Sequence, residues 1–429
     1  MRNSLGSDAN SSVSSRQMVK SQQASASSQF AMKILFLTIS NLSFDGNTNM
    51  YGALIKELVR NGHDVCAVNP VYDAPETRLV EIEKNLRLLQ VKSLPLFGVN
   101  LVRKGIANVL LPFVYQRAID KHLRGEKFDL IITPTPPITL ANVVAKMKKR
   151  SRAKTYLILR DIFPQNAVDL GFMKKWWPLY WHFRRQEKKL YRVCDKIGCM
   201  SQGNIDYIRK HNPEVPTEKL HILENFQTVE PLVPAREDLK AKYGVDGKFV
   251  VIFGGNMGVP QKLENVLGLA QACEADYPDV VFLLVGKGVQ QARIRKMITE
   301  MNLSNTILKD FIPYQDYQKL VAQCDIGLIS LNERFTIPNI PSKTLSYFNL
   351  KIPVLASLDA ATDYGKILES INAGLWSPAG DVPAFKANFD RLYRAPELRK
   401  QMGENGRRYL ETHMTDKVAY RVVMEQIGK

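Results

Sequence analysis

Phe249-Val-Val-Ile-Phe-Gly-Gly-Asn-Met-Gly258 is the stretch that decides the fold of this 429-residue chain. An apolar run that ends directly in glycines is typical of a strand buried on both faces of a parallel sheet. The same kind of run, Lys33-Ile-Leu-Phe-Leu-Thr-Ile39, stands near the start of the chain. A helical pattern follows each run, near 51–60 and 263–272, so each run opens a β-loop-α unit.

Short apolar runs repeat this alternation through both halves of the chain. They lie at 65–68, 130–133, 156–159, 196–200, 281–285, 306–309, 326–330 and 353–356. A polar stretch with Pro231 and Pro234 separates the two series. Because single cores stop growing near ~250–300 residues, two domains are expected. The sequence predicts α/β domains at 32–226 and 227–405, and a C-terminal helix over 406–429.

The first 31 residues differ in composition from the remainder. They are rich in Ser, Gln and Asn, and they contain almost no large apolar side chains. Such a segment cannot bury enough surface to fold, so a disordered tail over 1–31 is expected. It lacks the apolar core of a secretory signal, and it reads as a vector remnant or an over-long start assignment more readily than as a regulatory tail. No later run reaches the ~18 apolar residues of a spanning helix.

The composition restricts the partners and the compartment. The formal net charge of +17 favours an anionic partner, which could be nucleic acid, anionic lipid or a phosphorylated substrate. Five cysteines, none in a C-x-x-C pair, predict isolated buried thiols in a reducing compartment. The chain contains no D-x-D sequence, and its six histidines show no metal-ligand spacing, so no metal cofactor is expected.

Two glycine-rich loops are the first candidate ligand sites. Gly254–Gly258 and Gly286-Lys-Gly288 each follow a buried strand, where backbone N–H groups can approach a ligand or simply form a tight turn. Parallel strands end at one sheet edge, so both loops are expected there, with Lys262 close by. The loop 40–49 has no G-x-G-x-x-G and the chain has no Walker A motif, which argues against a dehydrogenase and a P-loop enzyme.

A third candidate is the segment Ile340-Pro-Ser-Lys-Thr-Leu-Ser-Tyr-Phe348. Pro341-Ser342 predicts a helix start with Ser342 as the N-cap. A helix N-terminus with Lys343 in its first turn suits a diphosphate, although a capped helix with a solvated lysine has the same sequence.

Taken together, these motifs resemble the retaining glycosyltransferases of family 4. The likeness is greatest to the bacterial surface-polysaccharide subgroup that includes the L-fucosamine transferases. It rests on Gly254–Leu263, Val285–Gly288 and Pro341–Tyr347, and on Leu159-Arg-Asp-Ile-Phe-Pro164 and Gln186–Tyr191 followed by Ile197–Ser201. It covers about residues 32–425. It implies the GT-B fold, in which two doubly wound, Rossmann-like parallel-sheet domains face each other across a cleft.

The resemblance also implies roles for individual residues. The donor nucleotide-sugar, with uridine diphosphate as the favoured nucleotide, would bind the second domain. Its residues there would be Gly255, Asn256, Gly258, Gln261, Gly286, Lys287, Gly288, Ser342, Lys343 and Ser346. Lys262 would act in catalysis on the diphosphate, and Asp161 would act near the sugar and the acceptor. Gly46, Asn47 and Arg160 would lie on the acceptor side.

One position departs from the family pattern. The family has a glutamate that accepts hydrogen bonds from both ribose hydroxyls, and here that position is Ser346, with Pro338 eight residues earlier. A serine makes weaker, neutral hydrogen bonds than a carboxylate does. Glu333 could substitute for it. Otherwise the donor is bound weakly or differently, or the protein is a catalytically degenerate partner or scaffold in a polysaccharide assembly complex.

A basic, aromatic segment suggests a membrane surface. Residues 172–192 carry Trp176, Trp177 and Trp181 among basic side chains that include Arg184 and Arg185, and 94–115 is similar in character. Such segments dock at anionic membrane interfaces, pack into their own domain, or bind nucleic acid. No nucleic-acid module is recognised, and a polyprenyl-diphosphate-linked saccharide acceptor fits both the charge and the aromatic residues.

These features give a primary hypothesis and two alternatives. The primary hypothesis is a retaining, metal-independent transferase at the cytoplasmic face of the inner membrane, moving sugar from a nucleotide-sugar to a lipid-linked saccharide. The first alternative is the non-enzymatic scaffold. The second is a nucleotide-sugar epimerase of similar fold, which would need no lipid acceptor.

Overall fold

The computed structural model describes residues 31–44, 48–96, 98–99, 101–232 and 237–428, with the backbone alone at 101 and 102. The predicted tail therefore lies outside the described residues except for Ala31. Gly46 and Asn47, two of the predicted acceptor-side residues, also lie outside them.

The first half of the chain alternates strands and helices. Its elements are β1 (Lys33–Leu37), α1 (Met50–Arg60), β2 (Asp64–Val71), β3 (Arg78–Glu83), β4 (Leu86–Lys92), α2 (Leu101–His122), β5 (Leu130–Pro134), α3 (Ala141–Ser151), β6 (Lys154–Leu159), α4 (Gln165–Asp169), α5 (Pro178–Val193), β7 (Lys196–Cys199), α6 (Gln202–His211) and β8 (Leu220–Ile222). A 3-10 turn at Ile138–Leu140 precedes α3.

The second half repeats the pattern. Its elements are α7 (Leu239–Lys242), β9 (Phe249–Gly254), α8 (Glu264–Cys273), β10 (Val280–Val285), α9 (Gln291–Glu300), β11 (Thr306–Lys309), α10 (Tyr314–Val321), β12 (Ile326–Ser330), α11 (Lys343–Asn349), β13 (Val354–Leu358), α12 (Tyr364–Ser370), β14 (Gly374–Pro378), α13 (Val382–Arg394), α14 (Pro396–His413) and α15 (Asp416–Gly428).

Each half forms its own sheet. The first has eight strands in the order β3-β4-β2-β1-β5-β6-β7-β8, and the second has six in the order β11-β10-β9-β12-β13-β14. All pairings are parallel except β3 with β4. Strand order reverses direction beside β1 in the first sheet and beside β9 in the second. Loops diverge at such points and leave a crevice at the carboxyl ends of the strands.

The predicted α/β fold class is confirmed, and all ten predicted strands are present with ends that differ by at most a few residues. Four strands were missed: β3, β4, β8 and β14. β3, β8 and β14 are edge strands, and β3 exposes Arg78, Glu81 and Glu83. An edge strand lacks a partner on one side, so its sequence does not need the continuous apolar run that reveals a central strand.

The end of the chain consists of two helices where the sequence predicted one. α15 returns to the first sheet, where Ala419, Val423 and Ile427 pack into the same cluster as Ile34 and Leu54 of β1 and α1. His63 joins the two parts: its Nδ1 accepts from the backbone N–H of Met32 (3.1 Å), and its Nε2 lies 3.1 Å from the Tyr420 hydroxyl. The last helix thus ties the end of the second half to the first.

The five cysteines are all buried and free, as the sequence predicted. Burial raises the pKa of Cys66, Cys194 and Cys199 to about 12, so these thiols are protonated and act as small apolar side chains.

Candidate active site

The carboxyl edges of the two sheets face each other, and side chains that follow the strands connect them. The Asp363 carboxylate, beyond β13, accepts hydrogen bonds from the Ser201 hydroxyl and the Gly203 N–H, both at 2.7 Å. Ser201 and Gly203 lie just after β7 of the first sheet. Asn204 donates to the Pro338 carbonyl at 2.8 Å. Thr336 bonds to Asp169 through its N–H (2.8 Å). These contacts place the loop after β12 against the first domain and define a cleft between the sheets.

The two glycine-rich loops interlock at the edge of the second sheet. Gly286 has φ +148°, and a side chain there would overlap the carbonyl oxygen of Gly255. A side chain at Gly288 would likewise meet the backbone of Met257, whose N–H donates to the Lys287 carbonyl at 2.8 Å. The sequence prediction that these loops share one edge is thus confirmed. Glycine is required here for backbone packing as well as for any ligand.

Lys343 projects over the first glycine loop. Its Cε would lie 3.2 Å from a Cβ placed on Gly255, and its ammonium lies 4.6 Å from the centre of the Phe253 ring. It forms no ion pair with any described residue. Burial lowers its pKa to about 8, because the charged form is poorly solvated. An uncompensated, desolvated ammonium beside backbone N–H groups is well suited to bind an anion.

Lys262 also lies at this edge but is already paired. Its ammonium is 2.8 Å from the Glu333 carboxylate, and the Ser330 hydroxyl donates to its carbonyl. The ion pair holds the pKa of Glu333 below its usual range, although partial burial acts against it. A donor diphosphate at Lys262 would therefore compete with Glu333.

Three other predicted donor residues have different surroundings. Gln261 uses its Oε1 to accept from the Gly258 N–H at 3.0 Å, so it fastens the loop. Asn256 is exposed beside Gly258, within the same turn. The Lys287 ammonium lies 6.0 Å from the centre of the exposed Phe311 ring, at the outer end of the cleft. Phe311 was not identified from the sequence.

Ser342 corrects a sequence prediction. It precedes α11, but its side chain makes no capping hydrogen bond, and its backbone is already helical with φ −67° and ψ −19°. A capping side chain needs an extended backbone to reach the N–H groups of the first turn. The N–H groups of Thr344 and Leu345 instead bond to the carbonyls of Pro341 and Ser342. The charge at this helix start is therefore that of Lys343.

Ser346 lies one turn after Lys343 on the same helix. Its hydroxyl is 3.2 Å from Nε2 and 3.3 Å from Oε1 of Gln318 in α10. Gln318 was missed by sequence reasoning, because nothing in α10 marks it as a partner of α11. A serine and an amide thus occupy the place where the family resemblance expects a carboxylate.

Asp161 and Arg160 follow β6 on the opposite wall, and their environments differ. The Asp161 carboxylate accepts no hydrogen bond from a described residue, and burial raises its pKa, partly offset by Lys104. Burial also raises the pKa of the nearby Tyr51 phenol to about 12. Arg160 donates to the carbonyls of Leu223 and Glu224, both at 2.9 Å. Arg160 therefore holds the strand-to-linker turn, and Asp161 is the free ionisable group.

The aromatic segment has an exposed face. Trp176 is 73% exposed and Trp181 54%, and Arg185 is exposed beside them. Trp177 instead packs partly against the first core. Arg184 is not surface-exposed as predicted: its side chain is only 16% exposed and lies 2.6 Å from the buried Glu187. A buried carboxylate needs a counter-charge, and this pairing draws Arg184 inward.

α2 also carries an exposed apolar stripe. Ile106, Val109, Leu110 and Phe113 are exposed and spaced i, i+3, i+4, i+7, which places them on one side of the helix. α2 and α5 both contact α3 and the 3-10 turn before it. Leu111, which the sequence grouped with this segment, is buried in the core.

Among the described residues, no group of three or more His, Cys, Asp and Glu side chains could hold a metal ion. Within the same part of the chain, every helix is too short or too polar to span a bilayer.

Family models match both halves of the chain. The model described as Glycosyltransferase Family 4 matches residues 45–228, and the one described as Glycosyl transferases group 1 matches 235–409. The chain is thus composed of these two glycosyltransferase domains. The boundary between the matches falls in the polar stretch where the sequence changes character.

Curated relatives carry corresponding names. A probable glycosyltransferase, WbjE, of Pseudomonas aeruginosa is 24% identical over 297 residues, which is 68% of this chain and 72% of the relative. A putative colanic acid biosynthesis glycosyl transferase, WcaI, of Escherichia coli is 30% identical over 266 residues, 58% of this chain and 61% of the relative.

Solved structures share the fold of this glycosyltransferase. Sucrose-phosphate synthase from Thermosynechococcus elongatus superposes with a TM-score of 0.70 at 16% identity, covering 92% of this chain and 98% of that one. Anabaena HepE in complex with UDP gives 0.65 at 15% identity, with 92% and 100% covered. The expected GT-B fold is confirmed.

Proposed function

We propose that this glycosyltransferase moves a sugar, with retention, from a UDP-sugar to a polyprenyl-diphosphate-linked saccharide in bacterial surface-polysaccharide synthesis. The observation that carries the proposal is the uncompensated Lys343 ammonium over Gly255 at the cleft. The name of the WcaI relative supports the pathway, and the UDP complex of HepE supports the nucleotide. The subgroup we favour remains that of the L-fucosamine transferases, on the motifs given above.

The second domain, 227–405, would hold the donor. Its diphosphate would lie on the interlocked glycine loops, with Lys343 on one side and Lys262 on the other after separation from Glu333. When the C1–O bond to phosphate breaks, negative charge grows on the leaving nucleotide. Cations held in fixed positions beside the diphosphate would stabilise that charge without a metal.

The first domain, 32–226, would hold the acceptor. As the donor bond breaks, the sugar would acquire oxocarbenium character, which the Asp161 carboxylate would stabilise. The acceptor hydroxyl would attack C1 from the face that the phosphate leaves, and its proton would pass to a leaving phosphate oxygen. The new C1–O bond then has the configuration of the old one. Arg160 would act only by positioning Asp161 and the linker.

The exposed apolar face of α2 and α5 would dock on the inner membrane, with the enzyme peripheral on its cytoplasmic side. Trp176 and Trp181 are amphipathic anchors, and Arg185 supplies charge for anionic lipid. We expect Trp176→Ser/Trp181→Ser to bind anionic vesicles at least ~10-fold more weakly, since each lost anchor removes about 1–2 kcal/mol of apolar burial. Vesicle sedimentation at low salt measures this.

The matched control is Ile82→Ser/Leu232→Ser, which removes two exposed apolar side chains elsewhere. It should bind vesicles as the wild type does. If Trp176→Ser/Trp181→Ser binds vesicles as strongly as the wild type does, this face is not the membrane-docking surface.

Nucleotide binding tests the donor site and the Ser346 departure together. UDP, GDP, ADP, CMP and TDP are compared by thermal shift, because a ligand specific for the folded state stabilises it. We expect UDP to shift the wild type. We expect Ser346→Glu to lower the Kd for UDP about 10-fold, since a carboxylate can accept charge-assisted bonds from both ribose hydroxyls.

TDP and Ser346→Gln are the controls. TDP lacks the 2′-hydroxyl, so Ser346→Glu should increase the affinity for TDP less than the affinity for UDP. The neutral side chain of Ser346→Gln should increase neither affinity. The Ser346–Gln318 pair is the observation that favours the scaffold alternative. The absence of a shift with every nucleotide at millimolar concentration would make that alternative the better account.

A further inference from the structure

A cavity of about 400 Å³ lies between α5 and α6, outside the donor loops. We call it the α5–α6 chamber. Its polar lining includes Gln165, Lys175, Arg184, Lys210, Asn212 and Thr336, with Glu187 in its wall. The volume falls within the range of small-molecule sites. Thr336 belongs to the loop after β12, so both halves of the chain contribute to the chamber.

Asn212 is the group that points to a ligand. Its residue is only 1% exposed, yet neither Nδ2 nor Oδ1 has a hydrogen-bond partner among the described residues. Buried side-chain amides nearly always bond to protein, water or ligand. An amide offers a donor and an acceptor side by side. Its natural complement is a group with an acceptor next to a hydroxyl, such as a sugar phosphate.

The charge of the chamber favours an anion. Glu187 is already neutralised, because it lies 2.6 Å from Arg184 and accepts from the Tyr191 hydroxyl at 3.0 Å. Lys175 and Lys210 have no carboxylate partner in the described part of the chain. Burial lowers the pKa of His211, and the charges of Lys210, Arg184 and Lys175 lower it further, which reveals a positive potential at this site.

Arg184 is held rigidly at the base of the chamber. Its Nη1 binds Glu187 and its Nη2 donates to the His211 carbonyl at 2.8 Å. His211 immediately precedes Asn212. The Arg184 guanidinium therefore fixes both the Glu187 carboxylate and the turn that carries the Asn212 side chain. The chamber is therefore preorganised, which lowers the cost of ordering it around a ligand.

Two lining residues of the chamber are close in sequence to Trp176 and to Asp161. Lys175 precedes Trp176, and Gln165 follows Asp161 by four residues, which limits their Cα separation to about 14 Å. The chamber is thus lined both by a segment that leads to Asp161 and by one that leads to the exposed tryptophans.

We propose that the α5–α6 chamber binds the diphosphate of the lipid-linked acceptor, with the Asn212 amide bridging a phosphate oxygen and a hydroxyl of the first sugar. This inference rests on the proposed function, because it assigns the acceptor end of that reaction. It adds Lys210 and Asn212 as specificity determinants that the sequence did not indicate.

Steady-state kinetics with a short-chain, water-soluble lipid-diphosphate acceptor tests the proposal. Lys210→Gln and the nearly isosteric Asn212→Asp should each raise the acceptor KM at least ~10-fold and leave the donor KM unchanged. The control, Lys366→Gln/Lys400→Gln, removes two exposed charges of the second domain and should change neither. An unchanged thermal shift with UDP verifies that each variant is folded.

A direct titration separates the possible outcomes. Pyrophosphate is added to enzyme saturated with UDP, so that the donor site is filled, and binding that weakens in Lys210→Gln supports the chamber. If this binding is seen but the acceptor KM does not change in either variant, the chamber serves a soluble phosphate, and the acceptor assignment is overturned. If neither effect appears while wild-type enzyme transfers sugar, the inference fails and the proposed function stands. Chamber binding without any wild-type transfer would instead count against the proposed function.

Discussion

Replacing Lys343 by Met is expected to lower kcat/KM about 10²–10³-fold while making the protein more stable. The loss follows from removing one preorganised donor from the developing charge on the leaving phosphate. The gain follows because the pKa of Lys343 falls from 10.5 to about 8 on folding, so its charge costs up to about 3 kcal/mol at neutral pH. Transfer assays and denaturant unfolding measure the two effects.

The pH dependence has a definite sign. Below about pH 8, Lys343 is charged in the free enzyme. Above about pH 8 it is neutral, so UDP must bind together with a proton. The affinity for UDP should therefore fall by up to 10-fold for each pH unit above 8. Between about pH 8 and 10.5 the unfolded chain holds the extra proton, so wild-type stability rises with pH in that window. Lys343→Met should show neither trend. Lys366→Met, at an exposed lysine, is the control. Full activity in Lys343→Met would exclude Lys343 from the donor site.

Replacing Asp161 by Asn is expected to lower kcat about 10²–10³-fold with little change in UDP affinity. The carboxylate has no hydrogen-bond donor among the described residues and lies on the wall opposite the glycine loops, so its charge is available to the sugar. Asparagine keeps the shape and removes the charge. Single-turnover measurements at saturating donor report the chemical step directly.

The pH profile distinguishes this role from a structural one. Burial raises the pKa of Asp161, so wild-type kcat should decline as pH falls through that raised value, and the decline should vanish in Asp161→Asn. The variant should also be at least as stable at neutral pH, because a poorly solvated charge has been removed. Asp206→Asn, on the exposed side of α6, serves as the control. If kcat of Asp161→Asn still declines as pH falls, the decline belongs to another ionisable group.

The central part of the fold could be predicted because its strands are buried on both faces. β9, β10 and β12 are apolar at nearly every position, so runs such as 249–253 and 326–330 are visible in the sequence. β3 escaped prediction because one of its edges faces solvent. The glycine loops were predictable for a related reason: backbone atoms approach so closely at Gly286 and Gly288 that no other residue fits.

The surroundings of a candidate site residue could be predicted from the sequence only where they depend on its own type and local position. Lys343 meets that condition, since its helix start and its charge are both local. Gln261, Arg160 and Arg184 do not: each has the chemistry of a ligand-binding residue, but each is engaged by a backbone or carboxylate group of the chain itself.

By itself, the sequence determined the two parallel sheets, the edge at which their loops meet and the chemical types present there. These features follow from local patterns, because a buried strand or a glycine-rich turn is specified by a few consecutive residues. Only the tertiary structure decided which charges remain free. Glu333 engages Lys262 over 71 positions of sequence, Gln318 engages Ser346 over 28, and the Asn212 side chain is left without a hydrogen-bond partner among the described residues. Pairing depends on distances in space, which a linear sequence does not contain.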